Sequence, residues 1–247
     1  MSHQMSKINN PMKKRAIIEQ VEKIILKHIT PVRIYLFGSQ INGEDTEASD
    51  IDIAYDSQTI ENDAIIKEEV SQINTLIKID VVNIAFAQER FKQRVISTGK
   101  VIWSSTKLLR MEDGILNFQM SIKKYADVVN NQESFDKDGY GDIFLDIAVK
   151  RFEFTFEMAW KACKRTLDYM GFATKSPREA LREAYAQRFI ENEVIWLNML
   201  EQRNLSAHVY DEISVGEIKN DIIKYLQAFE ELYNNLNNFY KSEVVKD

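Results

Sequence analysis

The pattern of apolar residues changes once along this chain, directly after Ser104-Ser105-Thr106. Before that point, short apolar runs typical of strands alternate with amphipathic segments. After it, the strand-like runs stop, and apolar residues recur at helical spacing over long segments. The 247 residues therefore predict an α+β fold, with a small mixed-sheet domain at residues 12–104 followed by an all-α antiparallel helical bundle at residues 107–240.

The first domain is predicted to be a small sheet flanked by helices. Its strand-like runs are rich in β-branched and aromatic residues, and its first helix is followed by Pro31. The expected strands are Val32 to Phe37, Ile51 to Tyr55, Ile77 to Ile84 and Val101 to Trp103, and the expected helices are Lys13 to Ile29, residues 62–76 and Phe91 to Ile96.

The second domain is predicted to consist of long helices joined by short connections, which is typical of a helical bundle. Two capping signals mark helix starts, Ser176 with Glu179 and Ser214 with Glu217. A polar, glycine-containing stretch at residues 131–142 predicts a loop. The expected helices are Leu108 to Asn130, Ile143 to Met170, Ser176 to about Gln187, Glu193 to Ser206 and Ser214 to about Tyr240.

Composition excludes several classes of protein. The single cysteine, Cys163, rules out a disulfide framework and a cysteine-based metal site. No signal-peptide core and no run of eighteen apolar residues occurs, so we expect a cytoplasmic protein that does not enter a membrane. The net charge is −6, and neither half is strongly basic, which weighs against unaided binding of long nucleic acids.

The stretch LFGSQINGEDTEASDIDIAY contains the residues that best indicate a chemistry. Gly38 ends the first predicted strand and permits close approach of a ligand, and Ser39 adds a hydroxyl and an N–H that suit triphosphate oxygens. Asp50 and Asp52 alternate with apolar residues, so a strand would place both carboxylates on one face. Taken singly, a Gly-Ser turn or an Asp-x-Asp strand end is ordinary, but their conjunction favours a phosphate and metal site.

A third carboxylate, Asp80, interrupts a later strand-like run. If that strand pairs beside the strand of Asp50 and Asp52, the three carboxylates converge. Hard oxygen ligands of this type suit Mg²⁺, and like charges on one face need such a cation. Two Mg²⁺ ions held there can clamp the attacking and leaving oxygens of a displacement at phosphorus, with Asp80 as ligand or general base.

This spacing of Gly-Ser, Asp-x-Asp and a later strand aspartate resembles the polymerase-β-like nucleotidyltransferases, in their minimal branch, over about residues 12–104. The resemblance implies transfer of a nucleoside monophosphate from a nucleoside triphosphate, most often ATP, to an acceptor hydroxyl. It implies that Gly38 and Ser39 hold the triphosphate, and that Asp50 and Asp52 bind Mg²⁺. Asp80 matches the third carboxylate by strand context.

The predicted bundle carries a second constellation in the segment RNLSAHVYD. The guanidinium of Arg203 and the imidazole of His208 can together bind a phosphodiester and move a proton. Tyr210 offers a phenolic hydroxyl as nucleophile or acceptor. In the structural alternative, Arg203 pairs with a carboxylate on a neighbouring helix, His208 caps a turn and Tyr210 packs.

The segments RFEFTFEMAWK, SPREALREAY and RNLSAHVYDE resemble the nucleotidyltransferase substrate-binding family of the HEPN group over about residues 107–240. Some HEPN members are ribonuclease toxins that use this arginine and histidine across a dimer, and partner nucleotidyltransferases silence them by adenylylating the tyrosine. The resemblance therefore implies a homodimer through the helical domain, a nuclease pair of Arg203 and His208, and Tyr210 as modified acceptor. In the family the two units are often separate chains, whereas here they are fused.

Three hypotheses follow. The first is a Mg²⁺-dependent adenylyltransferase whose helical domain presents the acceptor, with Tyr210 as the candidate residue, in toxin–antitoxin-type regulation. The second is a small-molecule nucleotidyltransferase of the antibiotic-modifying type, for which an acidic bundle would suit a cationic substrate. The third is a HEPN ribonuclease regulated by its nucleotidyltransferase domain.

Overall fold

The computed structural model describes residues 12–41, 49–137, 139–206 and 212–245. The chain divides into two compact units, Met1–Thr106 and Lys107–Asp247. Among the described residues, no helix combines the length and apolarity needed to span a bilayer.

Among its described residues, the first unit contains a four-stranded mixed sheet and three α-helices, as the sequence predicts. In chain order its elements are α1 (Met12–His28), β1 (Arg33–Phe37), β2 (Ile51–Tyr55), α2 (Asp63–Ser71), β3 (Ile79–Asn83), α3 (Glu89–Thr98) and β4 (Lys100–Ser104). The strand order is β3-β2-β1-β4. β1 pairs antiparallel with β2 and with β4, whereas β2 and β3 are parallel.

Each face of this sheet packs against different helices, because successive side chains of a strand point to opposite faces. One face packs against α1 and α2 and contributes to a core that includes Val21, Ile34, Ile53 and Ile66. The other face packs against α3 through a smaller cluster of Tyr35, Ala54, Ile84 and Val95. The second face therefore has less apolar cover, and it is the face to which Asp52 belongs by alternation.

The second unit is an all-α domain built on one large core. Its helices are α4 (Lys107–Asn130), α5 (Gln132–Lys137), α6 (Gly141–Tyr169), α7 (Pro177–Ala186), α8 (Glu193–Ser206) and α9 (Glu212–Val244). The aromatic stripe of α6 is core, since Phe152, Phe156 and Cys163 are fully buried. The fold class predicted from the sequence, α+β with a following helical bundle, is confirmed.

Helix boundaries follow local signals at both ends of the segment between α6 and α7. Gly171 adopts a φ of +95°, a left-handed conformation that suits glycine after a helix. Ser176 Oγ accepts a hydrogen bond from the N–H of Glu179 at 3.2 Å, and Pro177 occupies the first turn of α7. The predicted capping signal at Ser176 is therefore confirmed.

Two local predictions for the second unit are wrong. The stretch at residues 131–142 is not wholly a loop, because it contains the short helix α5, in which Phe135 packs against the core. Burial of an aromatic side chain outweighs the poor helix propensity of the stretch. Ser214 does not begin the last helix, because α9 already starts at Glu212. A serine inside a helix costs only tenths of a kcal/mol, and an acidic residue is favourable in the first turn.

Candidate active site

Strand pairing brings two of the predicted carboxylates side by side. β2 and β3 are parallel, and Asp52 and Asp80 are Cα partners in their register. Paired residues on neighbouring strands point to the same face and lie about 5 Å apart. The condition set by the sequence, that the strand of Asp80 pairs beside that of Asp52, is met.

Asp50 lies immediately before β2 and not within it. The N–H of Ile51 donates to the carbonyl of Lys78 at 2.9 Å, which extends the pairing of the two strands by one step. Asp50 is thus opposite Lys78, as Asp52 is opposite Asp80. The side chain of Asp50 is half-exposed, as is that of Asp80.

Lys78 is a site residue that sequence reasoning missed. Its Nζ lies 2.5 Å from Oδ2 of Asp80 and 3.8 Å from Oδ2 of Asp50, so one ammonium group faces two of the three carboxylates. The hydrogen bond to Asp80 is the main reason that the pKa of Lys78 is raised. The sequence held a signal for it, since Lys78 precedes Asp80 by two positions and a strand places such residues on one face.

The backbone at Gly38 lies directly against the carboxylate of Asp52. Phe37, the last residue of β1, pairs with Asp52, and Gly38 then opens a short 3₁₀ turn that runs to Ile41. Gly38 has a φ of +78°, and a Cβ at this position would lie 2.1 Å from Oδ2 of Asp52. Only glycine combines this conformation with this approach. Ser39, half-buried, follows in the same turn.

The electrostatics of the site favour a cation. Burial raises the pKa of Asp52, and the negative charges of Asp80 and Asp50 raise it further. The positive charge of Lys78 lowers this pKa by less, so the net shift is upward. Like charges this close are relieved by a divalent ion, and carboxylate oxygens are the ligands that Mg²⁺ prefers. The donor set therefore fits Mg²⁺ in chemical type.

The described residues nevertheless contain no group of three or more His, Cys, Asp or Glu side chains arranged to hold a metal ion. In this structure the ammonium of Lys78 compensates Asp80 and Asp50 instead. Mg²⁺ binding by Asp50, Asp52 and Asp80 thus stays a prediction.

In the helical unit, Arg203 near the end of α8 contacts α6. Its Nη2 lies 3.4 Å from Oε2 of Glu157, and its Nη1 lies 3.3 Å from Oδ1 of Asn204. The structural alternative for Arg203, pairing with a carboxylate on a neighbouring helix, is therefore observed. His208 and Tyr210 lie outside the described residues, so the proposed nuclease pair and acceptor stay predictions.

Glu157 is the centre of a small polar cluster that holds Arg203. Its carboxylate accepts a hydrogen bond from Nε1 of Trp160 at 2.8 Å and lies 3.0 Å from Nζ of Lys161. Burial raises the pKa of Glu157, but the hydrogen bonds from Trp160 and Lys161, with the nearby Arg203, lower it by more. The carboxylate is consequently held in its charged form, as an ion-pair partner.

Comparison with protein families gives one match for each unit. A family described as "Polymerase beta, Nucleotidyltransferase" matches residues 19–108. A second family, described as "Nucleotidyltransferase substrate binding protein like", matches residues 113–238.

The solved structures that match include a crystal structure of a protein from Thermus thermophilus. It is 30% identical over 38% of this chain and 82% of that chain, with a TM-score of 0.36. A comparison with curated proteins found no match.

Proposed function

Because the chain belongs to the nucleotidyltransferase substrate-binding-protein-like family and carries a polymerase-β nucleotidyltransferase domain before that region, we propose that it transfers AMP from ATP to a hydroxyl presented by its helical domain. The nucleotidyltransferase class itself follows from the family of the first domain. The donor, the metal and the acceptor are the proposed part.

The observation that carries the proposal is the position of Gly38, directly after β1, beside Asp52 on β2 and Asp80 on β3. The register pairs Phe37 with Asp52 and Asp52 with Asp80, and the Gly38 backbone lies against the Asp52 carboxylate. A main-chain turn that can hold phosphate oxygens thus adjoins carboxylates that can hold a cation. Nucleotidyl transfer requires this juxtaposition, because the cation must contact the phosphates being cleaved.

In the proposed reaction, Asp50, Asp52 and Asp80 would hold Mg²⁺, which would supply Lewis-acid stabilisation of charge on the phosphoryl oxygens. The turn at Gly38 and Ser39 binds the triphosphate through main-chain N–H groups and the Ser39 hydroxyl. A carboxylate oxygen of Asp80 accepts the proton of the attacking hydroxyl, whose oxygen bonds to the α-phosphorus of ATP while the bond from that phosphorus to the departing pyrophosphate breaks. Lys78 donates to Oδ2 of that carboxylate in this structure, which leaves Oδ1 as the oxygen that accepts the proton.

For the acceptor we propose Tyr210, as the resemblance to adenylylated HEPN proteins implies. The two units belong to one chain, and a tethered acceptor can reach a millimolar effective concentration at the active site. AMP transfer within a chain, or across a homodimer, can then be faster than AMP transfer to a diffusing acceptor. In this arrangement the transferase would control a ribonuclease site at Arg203 and His208, as in toxin–antitoxin pairs.

Intact-mass spectrometry tests the proposal. The protein is incubated with ATP and Mg²⁺, and we expect a mass gain of one AMP that is absent without Mg²⁺. Asp50→Asn/Asp52→Asn should abolish the gain, whereas Asp56→Asn, just beyond the end of β2, should retain it. Tyr210→Phe should abolish the gain, whereas Tyr185→Phe, an exposed tyrosine of the same unit, should not.

The other outcomes separate the remaining hypotheses. If wild-type protein gains no AMP but transfers AMP to an added aminoglycoside or lincosamide, the small-molecule hypothesis replaces the proposal. If the Asp50→Asn/Asp52→Asn variant cleaves RNA and His208→Ala removes that cleavage, the helical unit is a ribonuclease. Absence of AMP transfer to any acceptor would contradict the proposed function.

A further inference from the structure

A cleft between α7 and α8 has no part in the proposed reaction. It has a volume of about 310 Å³. Its walls are the facing sides of the two helices, with Arg178, Arg182 and Tyr185 on α7 and with Glu193 and Leu197 on α8. Volumes of about 300–1,000 Å³ are typical of small-molecule pockets, so the cleft is large enough for a small ligand.

The floor of the cleft is apolar and built into the core of the unit. Leu181, Ile190, Trp196 and Leu200 line it, and each is less than a tenth exposed. Because these residues belong to the main core cluster, the floor is held by packing that does not depend on a ligand. A preformed apolar floor favours a ligand with an aromatic or aliphatic body.

The rim carries two arginines one helical turn apart. Arg178 and Arg182 are both exposed, and neither side chain has a hydrogen bond or ion pair with another of the described residues. Residues four apart on a helix lie on the same side, so both guanidinium groups can reach one anion. A guanidinium binds carboxylate or phosphate through two parallel N–H donors.

Two carboxylates also line the cleft, and each is compensated locally. Oε2 of Glu179 accepts a hydrogen bond from the N–H of Lys175 at 2.9 Å. Glu193 is the first residue of α8, where the helix dipole favours a negative charge. The arginines therefore stay available for an external anion.

We propose that this cleft binds an organic anion with an apolar body, its carboxylate or phosphate held by Arg178 and Arg182 and its body on the floor around Trp196. The site lies wholly within the helical unit, and its lining does not include Arg203. The proposal goes beyond nucleotidyl transfer and does not depend on it.

Isothermal titration calorimetry of the full chain without Mg²⁺ tests this site. The probes are the organic anions indole-3-propionate and phenyl phosphate. Two controls are used: tryptamine, a cation with the same indole ring as indole-3-propionate, and inorganic phosphate, an anion without an apolar group. We expect both organic anions to bind at least tenfold more tightly than tryptamine and inorganic phosphate. If only the carboxylate or only the phosphate binds in this way, the ligand belongs to that chemical class.

Variants assign the binding to the cleft. Arg178→Gln/Arg182→Gln should weaken binding of the organic anions by at least about tenfold, since the variant removes both charge-assisted contacts to the anion. Lys123→Gln/Lys124→Gln removes the same charge from an exposed part of α4 and should leave binding unchanged. Equal binding of tryptamine, or full binding by the arginine variant with an unchanged Tm, would overturn the proposal.

Discussion

Replacing Gly38 by alanine would place a Cβ where the Asp52 carboxylate now lies. The added atom would be 2.1 Å from Oδ2 and 3.0 Å from Cγ of Asp52, whereas ordinary contacts begin near 3.4 Å. The carboxylate must therefore move by more than 1 Å. The substitution thus tests whether the fit between this turn and Asp52 supports catalysis.

This variant has two separate costs, one in stability and one in catalytic rate. Holding a residue with a Cβ at the φ of +78° costs about 1–2 kcal/mol of unfolding free energy. Moving a catalytic group by about 1 Å can lower the rate by about 100-fold, which corresponds to about 2.7 kcal/mol of transition-state stabilisation. We expect the rate of AMP transfer to fall by about 100-fold or more, with a modest loss of stability.

Two controls separate the strain from the clash. Gly139 has the same φ of +78°, but its added Cβ would lie more than 4 Å from every described atom outside its two chain neighbours. Gly139→Ala should therefore lose about 1–2 kcal/mol of unfolding free energy and keep full activity. In an Asp52→Ala background the carboxylate is absent, so Gly38→Ala should cost only the same strain. Denaturant unfolding measures each free energy, and incorporation of labelled AMP measures the rate. Wild-type activity in Gly38→Ala would refute the reasoning.

Three further predictions concern the fold. The pKa of Glu69 is lowered by hydrogen bonds from Lys27 and then from His28, so Glu69→Gln should destabilise the protein at neutral pH in denaturant unfolding. This loss of stability should shrink to nothing as the pH falls from about 4.5 through the lowered pKa, whereas Glu61→Gln, exposed in the same unit, should leave the unfolding free energy at neutral pH nearly unchanged. The buried side-chain amide of Asn83 donates to the carbonyl of Ser57 at 2.9 Å and accepts from the N–H of Ala85 at 3.1 Å. Asn83→Ala should therefore lower the unfolding free energy by about 2–4 kcal/mol, whereas Asn74→Ala, at an exposed position, should change it by less than about 0.5 kcal/mol. Burial raises the pKa of Cys163 to about 12, so a thiol reagent at pH 8 should label this cysteine only in denaturant. Rapid labelling of the native protein would contradict the position of Cys163 in the core.

The predictions from the sequence were most accurate where the signal was local. Gly171 and the capping signal at Ser176 marked helix ends correctly, because both act through the conformation of a few neighbouring residues. The period of the apolar residues indicated the α+β fold class for the same reason. Local signals failed at Ser214 and at residues 131–142, where helix formation depends on more than the capping residue or the composition of the stretch.

The candidate site depended on contacts between distant segments. The sequence placed Asp80 with Asp50 and Asp52 only on the condition that their strands pair, and the parallel register of β2 and β3 met that condition. The same register placed Lys78 opposite Asp50. Residue spacing within the segment of Asp50 or within that of Lys78 does not reveal this contact.

The sequence by itself determined the types of element, the change from sheet to bundle and the residue types of a nucleotidyltransferase site. Only the tertiary structure decided the strand register, and with it the approach of Gly38 to Asp52 and the ammonium of Lys78 between two carboxylates. The physical reason is that periodicity and capping act within about one turn of chain, whereas a register is fixed by the packing of both faces of the whole sheet. A shift of one residue in β3 would have turned Asp80 to the opposite face, away from Asp52.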